Sequence, residues 1–138
     1  MSMKLFTDVK SVDLPALTGG QLYIYVLENS PQQNIKIGRT TNIQQRLRSL
    51  SGSNGGGNHI TRIAVSEPTY LYTLEGIAHS KFNRHRITGT EWFDGHYVSF
   101  YDAYTYVDSL FSMDDYDLCN RVRKEYTLKY GSVKIQED

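Results

Sequence analysis

At 138 residues, 39% of them hydrophobic and 22% charged, the chain has the size of one domain and the apolar content for a modest core. No apolar run approaches the ~20 residues of a membrane span, and the first residues, MSMKLFTDVKSVD, lack the apolar stretch of a secretory signal. The single cysteine, Cys119, excludes a disulfide framework, and no closely spaced Cys/His set offers a zinc site; a reducing, cytoplasmic compartment is expected.

Net charge is zero, yet the bases are unevenly placed. Between Glu28 and Glu67 there is no acid, and that interval holds Lys36, Arg39, Arg46, Arg48 and Arg62. Two readings weigh equally here. The segment is an electrostatic footprint for nucleic acid, or it is a solvated face whose acids come from elsewhere in the fold.

In chain order, residues 1–19 read as an irregular lead-in that ends at the Gly19-Gly20 turn. LYIYVL is β-branched, aromatic and short, as a strand is, with Leu22, Ile24 and Val26 on one face and Tyr23 and Tyr25 on the other. ENSPQQN is a turn, and IKIG is a second strand pairing with the first as an antiparallel hairpin. Asn42 fits a helix N-cap with Gln45 three residues on, and Ile43, Leu47 and Leu50 make the apolar stripe of the short helix IQQRLRSL. SGSNGGGN is a glycine-rich loop with no Gly-Lys-Ser/Thr after it, so it is not a P-loop. HITRIAV gives a third strand.

Pro68 then opens a longer helix running to about Arg84, with Leu71, Leu74, Ala78 and Phe82 as its core stripe. GTEWFDG is a compact turn whose Trp92 and Phe93 close the core. Two helices follow. The first carries Phe100, Ala103, Tyr104, Val107, Leu110 and Phe111; the second, after Asp114, carries Leu118, Val122 and Tyr126 and stops at Gly131. The last residues, SVKIQED, read as loose.

Three features carry chemistry. Glu75 lies within about 60° of the centre of its helix stripe, so its carboxylate is partly desolvated and must be paired, protonated or metal-bound. His79, one turn on, is placed to hydrogen-bond it. Arg46 borders the stripe of the short helix, whereas Arg48 points away; a half-buried arginine wants an anion, either Glu75 or a phosphate, or else its stem simply covers the core. Tyr25 and Lys36 occupy the same face of the hairpin. A lysine beside a phenol lowers its pKa, and a phenol so tuned can take a proton from water; an amphipathic surface pair is the plainer reading.

The ordered set Tyr23-Ile24-Tyr25, Lys36-Ile37-Gly38, Arg46, and Glu75 in LEGIAHSKF resembles the GIY-YIG nuclease superfamily. KIGRT with a later EWF is most similar to a branch common in phage proteins. Tyr23 stands in place of the glycine of the first motif, and Lys36 in place of the second tyrosine. The resemblance covers roughly residues 20 to 95.

It implies an α+β fold, a small three-stranded antiparallel sheet flanked by helices, here with a helical C-terminal extension. The division is then a lead-in at 1–19, a nuclease-like domain at 20–95 and the extension at 96–138. It also implies metal-dependent hydrolysis of phosphodiester bonds, in DNA ahead of RNA. Tyr25 would be the general base and Glu75 the ligand of a single Mg²⁺ or Mn²⁺. Arg46 would stabilise the transition state, with Arg39 as a second phosphate contact. Lys36, Gly38 and Arg39 would floor the phosphate site. His79 and Tyr23 would support it, and Arg48 and Arg62 would hold nucleic acid.

The setting implied is the cytoplasm of a bacterial host or phage-infected cell, with no membrane partner. Rival readings are a binding module of the same fold with weak or absent catalysis, and a phage-encoded protein that acts on a host factor through its C-terminal helices. On the last helix, Arg121, Arg123, Lys124 and Lys129 beside Tyr126 and Tyr130 would extend the basic surface, or form a charged solvent face.

Overall fold

A computed structural model of the chain describes residues 3–30, 32–52, 59–114, 117, 118 and 120. Its centre is one antiparallel sheet built on the two strands with the clearest alternation. These are β2 (Tyr23–Ser30) and its hairpin partner β3 (Ile35–Thr40). β4 (His59–Ser66) pairs with the other edge of β2, so β2 is central.

The sheet has five strands, not three, in the order β1-β4-β2-β3-β5. β1 (Met3–Phe6) comes from the stretch expected to be irregular, and β5 (Trp92–Phe93) from the expected compact turn. Both are too short to announce themselves by alternation. Each is held by backbone bonds to a distant neighbour, β1 to β4 and β5 to Ile35 and Lys36 of β3.

Both faces of the sheet are buried. On one, Ile24, Val26, Ile35, Ile37 and Ala64 meet the helices α2 (Leu74–Phe82) and α3 (Phe100–Phe111). On the other, Tyr23, Tyr25, Leu27, Ile63 and Val65 meet Ile43 and Leu47 of α1 (Ile43–Gly52), together with Val12 of the N-terminal segment. The tyrosine face of the hairpin is therefore a second core.

The cap of α1 is as the sequence suggests, with Asn42 Oδ1 accepting the Gln45 N–H at 3.1 Å. The helix expected from Pro68 begins later, at Leu74. Thr69 exchanges two 2.9 Å backbone bonds with Leu22, which holds the segment extended. Leu71 is left exposed, and Ile77 takes its place in the core. After Phe82 the chain tightens into one 3-10 turn, Asn83–His85.

In α3, Ser99 Oγ accepts the Asp102 N–H at 2.9 Å, and Phe100, Ala103, Val107 and Leu110 are buried. Asp114 Oδ1 accepts the Asp117 N–H at 2.9 Å, and Leu118 packs on the core. Val122, Tyr126, Gly131, the basic cluster Arg121, Arg123, Lys124 and Lys129, and the SVKIQED tail lie outside the described residues.

Candidate functional site

Gly38 stands directly across from Tyr25 in the β2–β3 register. A Cβ at Gly38 would overlap the Tyr25 hydroxyl and ring. The glycine therefore makes room for a phenol, which lies over β3 instead of beside it. Gly38 was expected to help floor a phosphate site, and the group that lies against it is the Tyr25 ring.

The Tyr25 side chain is almost wholly buried, at 1% exposure. Burial pushes its pKa up to about 12. The positive charge of Arg46 opposes that rise, and the negative charges of Glu75 and Glu91 reinforce it. Arg46 on α1, Glu75 on α2 and Glu91 before β5 thus all act on one hydroxyl, from three separate parts of the chain.

The lowering of the Tyr25 pKa expected from Lys36 does not occur. Lys36 is itself buried, and its ammonium is bound to Glu91 Oε2 at 2.8 Å while lying over the Trp92 ring at 5.8 Å. In return, the hydrogen bond and charge of Lys36 hold the Glu91 carboxyl below its usual range, with help from the charge of Arg86. Lys36 is thus half of an ion pair, and its charge is already answered.

Glu75 opens the first turn of α2 with its side chain 27% exposed. Its nearest cation is Arg39, whose Nε lies 4.0 Å from Oε2. Arg39 also donates to the Tyr72 carbonyl at 3.1 Å. Arg46 is exposed on α1 and borders a polar pocket of about 350 Å³ lined by Thr40, Thr41, Asn42, Gln45, Arg46 and Ser49. Among the described residues neither Arg46 nor Arg48 forms an ion pair, and both face solvent.

His79 does not bind Glu75. A guanidinium can only donate, so the 2.9 Å contact from Arg86 makes His79 Nδ1 the acceptor. The proton then sits on Nε2, which donates to the Ile37 carbonyl at 2.6 Å. Along β3, β5 pairs with Ile35 and Lys36, and His79 covers the next residue, Ile37.

Tyr23 donates its hydroxyl to the Pro15 carbonyl at 3.1 Å and pins the N-terminal segment to the sheet. Burial pushes its pKa up as well. Arg62 is on the opposite sheet face from Tyr25. It makes two 3.1 Å bonds to the Glu28 carboxylate and lies 4.6 Å from the centre of the Phe100 ring. Its charge is thus already answered by Glu28, although it was expected to hold nucleic acid.

Two residues of this region escaped the sequence reading, Glu91 and Arg86. A signal for Glu91 existed, since Lys36 inside a strand buried on both faces demands an acid. The signal does not say which acid.

Among the described residues there is no cluster of three or more His, Cys, Asp or Glu side chains able to hold a metal. Glu75 offers one partly exposed carboxylate. That donor set does not fit zinc, but it fits a hard cation such as Mg²⁺, which keeps several waters and takes one or two carboxylates plus substrate phosphates.

The T5orf172 domain family matches residues 20–111, two thirds of the chain, from the start of the sheet's central hairpin to the end of α3. No curated protein and no solved structure matches the chain.

Proposed function

The chain belongs to the T5orf172 family, a phage-associated domain of endonuclease type, and we propose that it is a metal-dependent endonuclease hydrolysing phosphodiester bonds, in DNA ahead of RNA. What supports this reading is that the charges of Arg46 and Glu75 both bear on the buried Tyr25 hydroxyl, and these are the three residues that the GIY-YIG resemblance names.

In this reading the Tyr25 oxygen is the base for the attacking water. With its pKa at about 12 the phenol is neutral near pH 7, so it first gives its own proton to solvent, and the phenolate then takes the proton of the attacking water as the new P–O bond forms and the leaving oxygen departs. Arg46 is the protein's own charge that favours phenolate, and it is exposed beside a pocket lined by hydroxyl and amide groups, which suits a phosphate. Arg46 stabilises the charge that develops on the pentacoordinate phosphate. Arg39 reaches a neighbouring phosphate oxygen. Glu75 would hold a Mg²⁺ or Mn²⁺, which when bound supplies positive charge to the scissile phosphate and to the phenol. Lys36 and Glu91 hold one another and keep the Trp92 strand against β3.

One observation favours a second reading. A phenol held protonated is a poor base, so the same fold could bind nucleic acid and cut it weakly or not at all. Incubating the purified chain with plasmid, single-stranded DNA and RNA, with and without Mg²⁺ or Mn²⁺, separates the two. Cation-dependent nicking is the expected result. Retained binding with no cutting under any cation would overturn the enzyme reading in favour of a binding module.

A further inference from the structure

Just before α2 the chain exposes three consecutive apolar side chains, Tyr70 at 60%, Leu71 at 37% and Tyr72 at 46%. They are not on a slack loop. The two Leu22–Thr69 bonds fix the segment at its start, and Leu71 N–H donates to Thr69 Oγ1 at 3.0 Å. Tyr72 N–H donates to the Tyr70 carbonyl at 2.9 Å, and the Tyr72 hydroxyl donates to the Gly20 carbonyl.

Both rings rest against the same bare piece of backbone. The Cβ position of Gly20 lies 3.4 Å from Tyr72 Oη and 3.7 Å from Tyr70 Cε1. Gly20 also has φ +87°, a conformation that disfavours side chains, so the seat beneath the rings stays open.

This surface runs directly into the candidate site. The Arg39 guanidinium lies 5.9 Å from the Tyr72 ring centre and bonds the Tyr72 carbonyl, and the same group is 4.0 Å from Glu75. Two exposed rings on a rigid seat, then a cation, then the carboxylate, form a continuous strip.

We propose that Tyr70 and Tyr72 are a stacking platform for unpaired nucleobases beside the Glu75 site, and that the substrate is single-stranded or locally unpaired nucleic acid. The inference rests on the reading of the chain as a nucleic-acid enzyme and adds the substrate class. Every base has a π-face that a tyrosine ring can cover, and an adjacent arginine can hold the phosphate of the same strand. In a paired duplex those faces are already stacked, and only the base edges line the grooves. The platform therefore selects bases that have left the duplex.

The test is binding by the full chain in EDTA, so that no cutting intervenes. The probes are a short single-stranded DNA, a blunt duplex of the same sequence, and a strand with the same phosphates but abasic sites. Tyr70→Ala and Tyr72→Ala should each weaken single-strand binding roughly 5- to 100-fold, the usual cost of losing one stacked base, and leave duplex binding nearly unchanged. Tyr70→Phe should bind like the wild type, because the ring remains and its hydroxyl is not among the bonds that seat the platform. The abasic strand should bind the wild type at least as weakly as the intact strand binds either alanine variant, because it offers neither ring a base.

Tyr72→Ala loses the bond to Gly20, so Tyr70→Ala, with its circular dichroism matched to the wild type, decides. Equal losses on duplex and single strand, or tight binding of the abasic strand, would overturn the platform and leave a phosphate contact. Unchanged binding of the single strand by Tyr70→Ala while cation-dependent cutting persists would sink the platform alone. A wild-type chain that binds none of the three probes would sink the nucleic-acid reading with it.

Discussion

Arg46 and Arg62 lie in the same acid-free stretch of sequence, and the fold gives them opposite roles. Arg62 is on β4, where the register with β2 sets it beside Glu28, and the two make a doubly hydrogen-bonded pair on the α2/α3 face. Arg46 is on α1, over the other face, exposed beside a polar pocket and forming no ion pair among the described residues. Lys36 and Arg39 fall between them in kind, with Lys36 tied tightly to Glu91 and Arg39 loosely to Glu75. A run of bases in sequence is therefore not yet a binding surface. What matters is which charges the tertiary structure leaves unanswered.

The sharpest way to break this contrast is at Glu75, the carboxylate that only Arg39 answers, and loosely, among the described residues. Glu75→Ala should abolish cation-dependent cutting while leaving the fold intact, because the side chain is partly exposed on the first turn of α2. Near wild-type cutting by this variant would show that the cation is held elsewhere.

Arg46→Ala should cost about 3–4 kcal/mol of transition-state stabilisation, a loss of roughly 10²–10³ in kcat, with thermal stability nearly unchanged. Single-turnover rates and a melting curve on the same sample check both halves. A large fall in Tm with unchanged kcat would make Arg46 a structural residue like Arg62.

The buried phenol gives a pH test. Tyr25 holds its proton more tightly folded, with a pKa of about 12, than at its ordinary value of 10. Its contribution to stability is therefore complete below pH 10 and is lost as pH rises towards about 12, by ~3 kcal/mol for a two-unit shift. Denaturant midpoints of wild type and Tyr25→Phe should diverge over that range, with the variant losing less. Parallel curves would show that Tyr25 does not titrate abnormally.

The smallest effect is expected at Arg62. Arg62→Ala should lower stability by about 1–3 kcal/mol, because it leaves the nearly buried Glu28 with Thr61 but without its cation. The figure stays below the full cost of breaking a buried pair because Arg62 itself is partly exposed. The salt dependence of nucleic-acid binding should not change, whereas Arg46→Ala should reduce its slope by about one. A reduced slope for Arg62→Ala would return that residue to the binding surface.

Local chemistry was enough for several elements. Tyr23–Ser30 and Ile35–Thr40 are strands because their alternation and β-branched content leave little else. Asn42 caps α1 through its own side chain, and the stripe of α3 follows from spacing alone. The grouping of Tyr25, Arg46 and Glu75 was legible only through the family resemblance, since nothing in their spacing requires them to meet.

What the sequence could not determine depends on contacts made far along the chain. The edge strands Met3–Phe6 and Trp92–Phe93 exist because β4 and β3 offer them free backbone groups, and four or two residues carry no period of their own. The start of α2 is set at Leu74, not Pro68, by Leu22 bonding Thr69 across 47 positions. The partners of the bases are equally remote, Glu91 lying 55 residues from Lys36 and Glu28 lying 34 from Arg62. The state of Tyr25 follows the same logic. Its type and its place opposite Gly38 are in the sequence, but its proton affinity is set by burial between sheet and α1, and a second core on that face exists only once the chain has folded.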